Sequence, residues 1–522
     1  MSRTPSKSSV PNAVEESSAR KTRQFLGLVC FFAGAAIMVV EISAFRLLAP
    51  YFGNTIYTST ALIGVILVAF SVGGYLGGHL ADRKPALDLI GWLLAGAAVL
   101  TFFIPALHMV FSLFLSAFGV ITGPLLISLV LFALPGVLLG AVSPASVRFY
   151  SLTQKDTHVG AAAGTISMLG SLGSFVGTFV SGFFLLSTFG VRGIFVGAGA
   201  VLLLLSVASF ILARNAAKMQ VLVAGLIAGI VGWTSEKPPL KGLIHERESV
   251  YHHISVFEEG EAPNKRRLLA LDSTQEGGIN PDTGALILPY QEYWKLALLR
   301  EPAEVSTALF IGAGAFGMPE NVSRDFPKAV VDVVEIDPQV IDVGRKFFKL
   351  DEHPRVNAHA ADARQFLRLA GERKWDLVFG DAYNGRHAIP SHLATREFFQ
   401  LVADHLEPQG VYVMNIIAAV SGPKADLAAG MVATLRQVFS SVEIFDVEAL
   451  SHYPRDRARN MIIMCSREKL RSLITERYVT AGSWEERLIR TLVPAGTVPR
   501  SEVVFSDDYN PVDAIIARGL LE

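Results

Sequence analysis

The sequence predicts two units in one chain: a multi-span α-helical membrane domain, then an α/β, Rossmann-like doubly wound sheet preceded by a small β-hairpin region. Three observations carry this reading. Residues 25–235 are almost uncharged while residues 236–522 have ordinary soluble composition, a contrast hidden in averages of 51% hydrophobic and 18% charged residues. The first half divides into apolar runs long enough to cross a bilayer. From Tyr290 onward, short β-branched runs alternate with amphipathic ones, the pattern of a parallel sheet covered by helices.

At 522 residues the chain exceeds one ordinary core. A net charge of −1 points to no class of partner, and no basic footprint for nucleic acid stands out. Cys30 and Cys465 offer neither a disulfide framework nor a metal-ligand spacing, so no metal is expected and a reducing compartment suits the soluble part.

Residues 1–24 form a polar, Ser-rich, basic tail, expected to be cytoplasmic. The apolar run after it has no small-residue cleavage site, so it reads as a span and not as a signal peptide. The transmembrane domain covers 25–235, with spans expected near 25–48, 58–80, 88–107, 122–143, 161–187 and 191–213. Residues 108–121 and 219–234 are apolar but short. With six spans and the N-terminus inside, Arg3, Lys7, Arg20, Lys21, Arg23, Arg83, Lys84, Arg148, Lys155, Arg214 and Lys218 are cytoplasmic, and the outer loops hold Arg192. Eight spans would move Arg148, Lys155, Arg214 and Lys218 outside. The positive-inside rule favours six, which leaves the second half in the cytoplasm and makes 219–234 an interfacial or re-entrant piece. Gly73/Gly77, Gly74/Gly78, Gly160/Gly164 and Gly173/Gly177 have the spacing for close helix approach. Glu41 and Arg46 lie inside the first span, where a mutual ion pair or a snorkelling arginine competes with a substrate site. "GGHLADRKP" resembles the loop after the second span of major facilitator transporters, with Asp82 and Arg83 in the matching places.

The charges and prolines of 236–248 read as a linker. Residues 249–289 read as the antiparallel β-hairpin region, from "SVYHHISVFEEG" and "KRRLLALDSTQEGG". "YQEYWKLALL" is expected as a helix that opens the catalytic domain, 290–470. Strands follow at "STALFI", "AVVDVVEID", "VNAHAADA", "WDLVFGDAY" and "GVYVMNI", with helices between them. "SVEIFDV" and "RNMIIMCS" are expected to close the sheet with an antiparallel edge, before a C-terminal segment at 471–522.

In such a sheet ligands sit at the carboxyl ends of the strands. Gly312, Gly314 and Gly317 form G-x-G-x-x-G between a strand and a helix, Glu335 ends the next strand, Asp362 follows the third and Asp381 the fourth. Glycines admit a ligand close to the backbone, and a carboxylate at the second strand end accepts both ribose hydroxyls. Four consecutive strand ends therefore fit a nucleoside.

Together, "YHHISVF", "LLALDSTQEGG", "LPYQEYWKLALL", "FIGAGAFG", "VVEIDPQVIDVGRKFF", "AADARQFL", "DLVFGDAYNG" and "IPSHLATREFF" resemble the spermidine synthases (polyamine aminopropyltransferases), in their membrane-fused form, over about residues 245–470. The resemblance implies an S-adenosylmethionine methyltransferase-type sheet and, as substrate, S-adenosylmethionine or its decarboxylated form, with methylthioadenosine as product. It implies that Gly312–Gly317 hold the methionine-like part of the donor, Glu335 the ribose with Asp337 beside it, and Asp362 and Ala363 the adenine. Gln291 would lie near the donor tail or acceptor. Asp381 would be the catalytic carboxylate, with Tyr383 in the same pocket. A polyamine acceptor and a homodimer are implied as well.

The departures fall where the family carries acids. Ala315 stands where its glycine motif usually has an aspartate, Asn384 replaces the second acid after the fourth strand, and His252 replaces a glutamine. A desolvated ammonium without a carboxylate is costly, and loss of an acid relieves repulsion of a substrate carboxylate. These changes favour intact S-adenosylmethionine and its intramolecular cleavage to methylthioadenosine and homoserine lactone. Aminopropyl transfer, methyl transfer and a non-catalytic membrane transporter or sensor remain open here. Asp507 and Asp508, in "FSDDYNPVD", are candidates to replace the missing acids over the cleft, with a solvated turn as the rival reading.

Overall fold

The computed structural model describes residues 13–52, 56–84, 86–115, 118–153, 159–216, 218–234, 240–272, 274–300, 303–383, 389–451, 453–468, 474 and 479–521. The chain divides into two compact units, one built mainly of residues before Pro239 and one of residues from Pro239 onward.

The first unit is helical. Its elements are α1 (Ala13–Phe52), α2 (Ile56–Arg83), α3 (Leu87–Leu115), α4 (Gly119–Leu152), α5 (Val159–Val180, prolonged by a π turn over Ser181–Leu185), α6 (Gly190–Leu212) and α7 (Lys218–Thr234). Among the described residues six helices, α1 to α6, are long and apolar enough to cross a membrane. The ambiguous stretch 108–121 forms no separate element: α3 runs on to Leu115 and α4 begins at Gly119. Residues 218–234 are a helix of 17 residues, shorter than the six.

Two of the four glycine pairs mark helix contacts. A Cβ on Gly73 would lie 2.1 Å from the Val137 carbonyl oxygen, and one on Gly173 would lie 1.8 Å from that of Phe31. Gly77 and Gly177 are also tight, with an added Cβ 2.5 Å from Ala141 and from Ala35. Glycine is thus required where α2 meets α4 and where α1 meets α5. Gly74, Gly160 and Gly164 have nothing within 4 Å. At one end of α2, Asp82 pairs with Arg148 of α4 at 3.2 Å.

The second unit opens with a four-stranded antiparallel sheet, in the order β1 (Leu243–Glu248), β2 (His253–Glu259), β3 (Arg266–Leu271), β4 (Thr274–Ile279). Strand β1 occupies the end of the stretch read as a linker; its charged residues suit an exposed edge strand, where pairing with β2 satisfies one side. Pro289–Leu299, expected as an α-helix, is a 3₁₀ helix. Its buried residues Tyr290, Tyr293, Leu296 and Leu299 recur every third position, the period at which 3₁₀ side chains align.

The main sheet has seven strands: β5 (Thr307–Ile311), β6 (Val330–Glu335), β7 (Val356–Ala360), β8 (Trp375–Gly380), β9 (Leu406–Ala418), β10 (Ser441–Asp446) and β11 (Arg459–Ser466), in the order β10-β11-β9-β8-β5-β6-β7. All pairings among β5 to β9 are parallel. As expected from sequence, the last two strands close one edge of the sheet: β11 runs antiparallel to both neighbours, β9 and β10, and β10 is outermost. Alternate residues of β5 enter different cores: Phe310 joins Phe379 and Trp294 on one face, and Leu309 joins Phe399 and Tyr412 on the other. Helices α8 (Gly317–Asp325), α9 (Pro338–Phe347), α10 (Ala363–Leu369), α11 (Arg396–Asp404) and α12 (Asp426–Leu435) follow their strands; α13 (Trp484–Ile489) and α14 (Val512–Leu521) belong to the C-terminal segment. The strand order reverses at β5, which places the switch point between the carboxyl ends of β5 and β8.

Candidate active site

A cleft of about 650 Å³, open mouth included, lies at that switch point. Its floor is the β5–α8 turn. Gly312 has φ +91° and Gly314 φ +48°, conformations that cost an L side chain. A Cβ on Gly312 would stand 2.4 Å from the Asp381 carbonyl oxygen. Phe316 also has a positive φ, +57°; its fully buried ring fills the space against Gly344, which anchors the strained turn. Gly317 begins α8 and packs on Ile279 and Leu286 of the hairpin region.

Glu335 ends β6 inside the cleft. Its carboxylate accepts the backbone N–H of Ala313 and that of Asp337, each at 3.0 Å, tying the second strand end to the glycine turn. Burial pushes this carboxyl up, against the two backbone donors that hold it down. Asp337, expected beside the ribose, is fully buried: it caps α9 by accepting from Gln339 N–H at 2.9 Å and takes the Ser249 hydroxyl, and it does not line the cleft. Gln291 is likewise buried beneath the turn, where its side-chain oxygen accepts the Leu288 N–H at 3.1 Å.

Asp362 and Ala363 line the opposite wall. Asp362 caps α10 through one oxygen and pairs with His392 through the other, at 2.7 Å. Pro390, His392 and Leu393 complete this wall. The C-terminal segment fastens it from behind: Asp507 takes a bidentate pair from Arg364, which also donates to the His392 carbonyl at 3.2 Å, and Asn510 donates to the Ser391 carbonyl at 2.6 Å. Asp507 thus supports the wall without lining the cleft, and Asp508 is exposed.

Asp381 stands where β8 ends, its N–H donating to the Ile311 carbonyl at 2.8 Å. Asn415, on the neighbouring strand β9, donates to its carboxylate at 2.9 Å. Burial raises the Asp381 carboxyl to about 6, with Asn415 and the Tyr290 hydroxyl opposing the rise. Tyr383 lies beside it and donates to the Asn415 carbonyl at 3.0 Å. Asn384 lies outside the described residues. His252, nearly buried, is held by Asp272 at 3.2 Å; burial disfavours its charge, but the Asp272 bond and the nearby Glu335 and Asp337 raise its affinity for a proton.

Two residues of this site escaped the sequence reading. Glu276, on β4, lines the cleft, accepts the Thr274 hydroxyl, and is raised to about 7 by burial, with Asp381 and Glu335 adding to the rise. Asn415 was hidden inside a strand; extending the strand-end rule to the fifth strand would have found it. Among the described residues no group of three or more His, Cys, Asp or Glu is placed to hold a metal.

A cleft with a glycine turn after β5, a carboxylate at the end of β6 and an acid at the end of β8 can be compared with known proteins. Residues 295–467 match the spermine/spermidine synthase domain. The chain therefore carries a spermidine synthase-like domain. It is 31% identical over 181 residues to the polyamine aminopropyltransferase of Vibrio vulnificus, covering 33% of this chain and 58% of that protein. It is 30% identical over 217 residues to the spermine synthase of Arabidopsis thaliana, covering 40% and 57%. The human eEF1A lysine and N-terminal methyltransferase is 28% identical over 209 residues, covering 37% and 28%. The chain thus spans less than two thirds of each of these relatives. Among solved structures, a probable spermidine synthase from Corynebacterium glutamicum is similar at 20% identity, with a TM-score of 0.38, over 54% of this chain and 94% of that one. Glu335 and Asp381 face the cleft from β6 and β8, the two parallel strands that flank β5.

Proposed function

We propose that the spermidine synthase-like domain is a membrane-anchored enzyme that binds S-adenosylmethionine or its decarboxylated form in this cleft and releases methylthioadenosine. The observation that carries the reading is Asp381: a carboxylate at the end of β8, oriented by Asn415 and held near the pKa a general base needs. In aminopropyl transfer, an amine nitrogen attacks the carbon next to the sulfonium. The carbon–sulfur bond breaks, its electron pair stays on sulfur as the neutral thioether, and Asp381 takes the proton from the nitrogen. Tyr383 and Tyr290 frame the acid, and Glu335, fixed by two backbone N–H groups, is placed for the ribose hydroxyls. The carboxylates Glu276 and Asp381 favour a cationic amine in the cleft.

A second reading rests on Ala315, an apolar side chain where the family usually carries an acid. It favours attack by the substrate's own carboxylate on the same carbon, which gives methylthioadenosine and homoserine lactone with no acceptor. Six long apolar helices support the membrane anchor, and the distribution of Lys and Arg supports a cytoplasmic catalytic domain. A homodimer is proposed on the family resemblance.

The test incubates purified full-length protein with each donor, with and without putrescine or longer diamines, and identifies products by mass. Methylthioadenosine from the decarboxylated donor plus diamine supports transfer. Methylthioadenosine with homoserine lactone from S-adenosylmethionine alone supports cleavage. S-adenosylhomocysteine indicates methyl transfer, and no turnover of either donor overturns the enzymatic reading.

A further inference from the structure

The acid missing from the glycine turn has a counterpart on the strand packed beside it. Strand β4 runs directly against that turn: a Cβ on Gly314 would stand 3.1 Å from the Glu276 carbonyl oxygen, and one on Gly277 would stand 2.8 Å from Ala315 N and 3.1 Å from Ala315 Cβ. The Tyr290 hydroxyl donates to that same Glu276 carbonyl at 2.8 Å, which fixes the strand's position over the turn. Glu276 and position 315 are therefore neighbours, and the Glu276 side chain lines the cleft that holds Asp381 and Glu335. We propose that Glu276 binds the ammonium group of the donor's aminoalkyl tail, supplying from β4 the carboxylate that the glycine turn lacks at Ala315.

The inference rests on the proposed S-adenosyl donor and names the residue that reads its amine. Both intact and decarboxylated donors carry that ammonium, so the assignment holds for either. The charges around Glu276 agree with it. Burial, Asp381 at the end of β8 and Glu335 at the end of β6 work against its ionisation, while the Thr274 hydroxyl that donates to it and His252, before β2, offset part of that. A cation delivered by the ligand relieves that repulsion. Methylthioadenosine, which lacks the ammonium, gains nothing from Glu276.

The experiment measures binding of S-adenosylmethionine, its decarboxylated form and methylthioadenosine to the full chain by calorimetry. Glu276→Gln is expected to weaken both donors by roughly 10- to 100-fold, the range for loss of a charge-assisted contact, while methylthioadenosine changes less than about twofold. The methylthioadenosine affinity also reports that the variant is folded. Adding Ala315→Asp to Glu276→Gln is expected to restore the ratio of donor to methylthioadenosine affinity. An unchanged ratio in Glu276→Gln overturns the proposal, as does a double variant that binds methylthioadenosine but recovers no donor affinity. If the unaltered chain binds none of the three, the proposed function itself fails; if it binds all three and the ratio does not move, the role of Glu276 alone fails.

Discussion

Glycine does different work in the two units. In the helical unit Gly73 and Gly173 have ordinary helical backbones, and what they supply is the missing side chain: a Cβ would strike the backbone of the facing helix. In the sheet unit Gly312 and Gly314 supply positive φ as well as room, because the turn must bend back beneath the cleft. The first use is a packing requirement distributed along a bundle. The second is a local requirement of one site, and it is coupled to chemistry, since the backbone nearest to Gly312 is that of Asp381.

Separating chemistry from cradle gives the largest expected effect. Asp381→Asn keeps the Gly312 turn and removes the base, so the rate of methylthioadenosine release should fall roughly 10³-fold while donor affinity stays within a few fold. Parallel losses of affinity and rate would mean that Asp381 serves the cradle instead. The unaltered protein should show the matching pH profile. With the Asp381 carboxyl raised to about 6, kcat/KM should rise through pH 5 to 7 as the base loses its proton. The sign for stability is opposite: a folded-state value above the unfolded one, about 3.9, means that this group's contribution weakens as pH rises from about 4 to about 6.

Gly312→Ala comes next. It combines a positive φ with a clash against Asp381, and donor affinity should fall by roughly 100-fold, with folding destabilised by about 1–3 kcal/mol. Gly173→Ala is its counterpart in the other unit. A Cβ at 1.8 Å from the Phe31 carbonyl forces α1 and α5 apart, so thermal stability in detergent should drop by about 1–3 kcal/mol, while the donor affinity of the sheet unit is retained. If Gly173→Ala abolished donor binding, the distinction between distributed packing and local cradle would collapse.

The parts legible in sequence were those governed by local pattern. Apolar run length gave six long helices, and the strand–turn–helix rhythm placed Gly312, Glu335, Asp362 and Asp381 at neighbouring strand ends, which the fold brings to one cleft. What stayed hidden depends on contacts between distant segments. Glu276 looked like a residue of a hairpin until β4 was laid against the glycine turn. Asp337 shares the "EID" tripeptide with Glu335, yet its carboxylate turns away to cap α9. The place of β11 between β9 and β10 follows from pairing order, which chain order does not carry. The 3₁₀ geometry of Pro289–Leu299 was written in a three-residue burial period, but only once the buried face was known.

The smallest expected effect sharpens the comparison most. Gly160 and Gly164 share the small-residue spacing of Gly173 and Gly177 on the same helix, yet an added Cβ there meets nothing within 4 Å. Spacing alone treats the two pairs alike; the geometry does not. Gly164→Ala should leave the stability of the helical unit unchanged or raise it by up to about 1 kcal/mol, since alanine favours a helix more than glycine does. Thermal unfolding of Gly164→Ala beside Gly173→Ala checks this in one experiment. A loss at Gly164 comparable to that at Gly173 would show that its open face is covered by a further helix in the membrane, because close approach of a partner is what makes such a glycine irreplaceable.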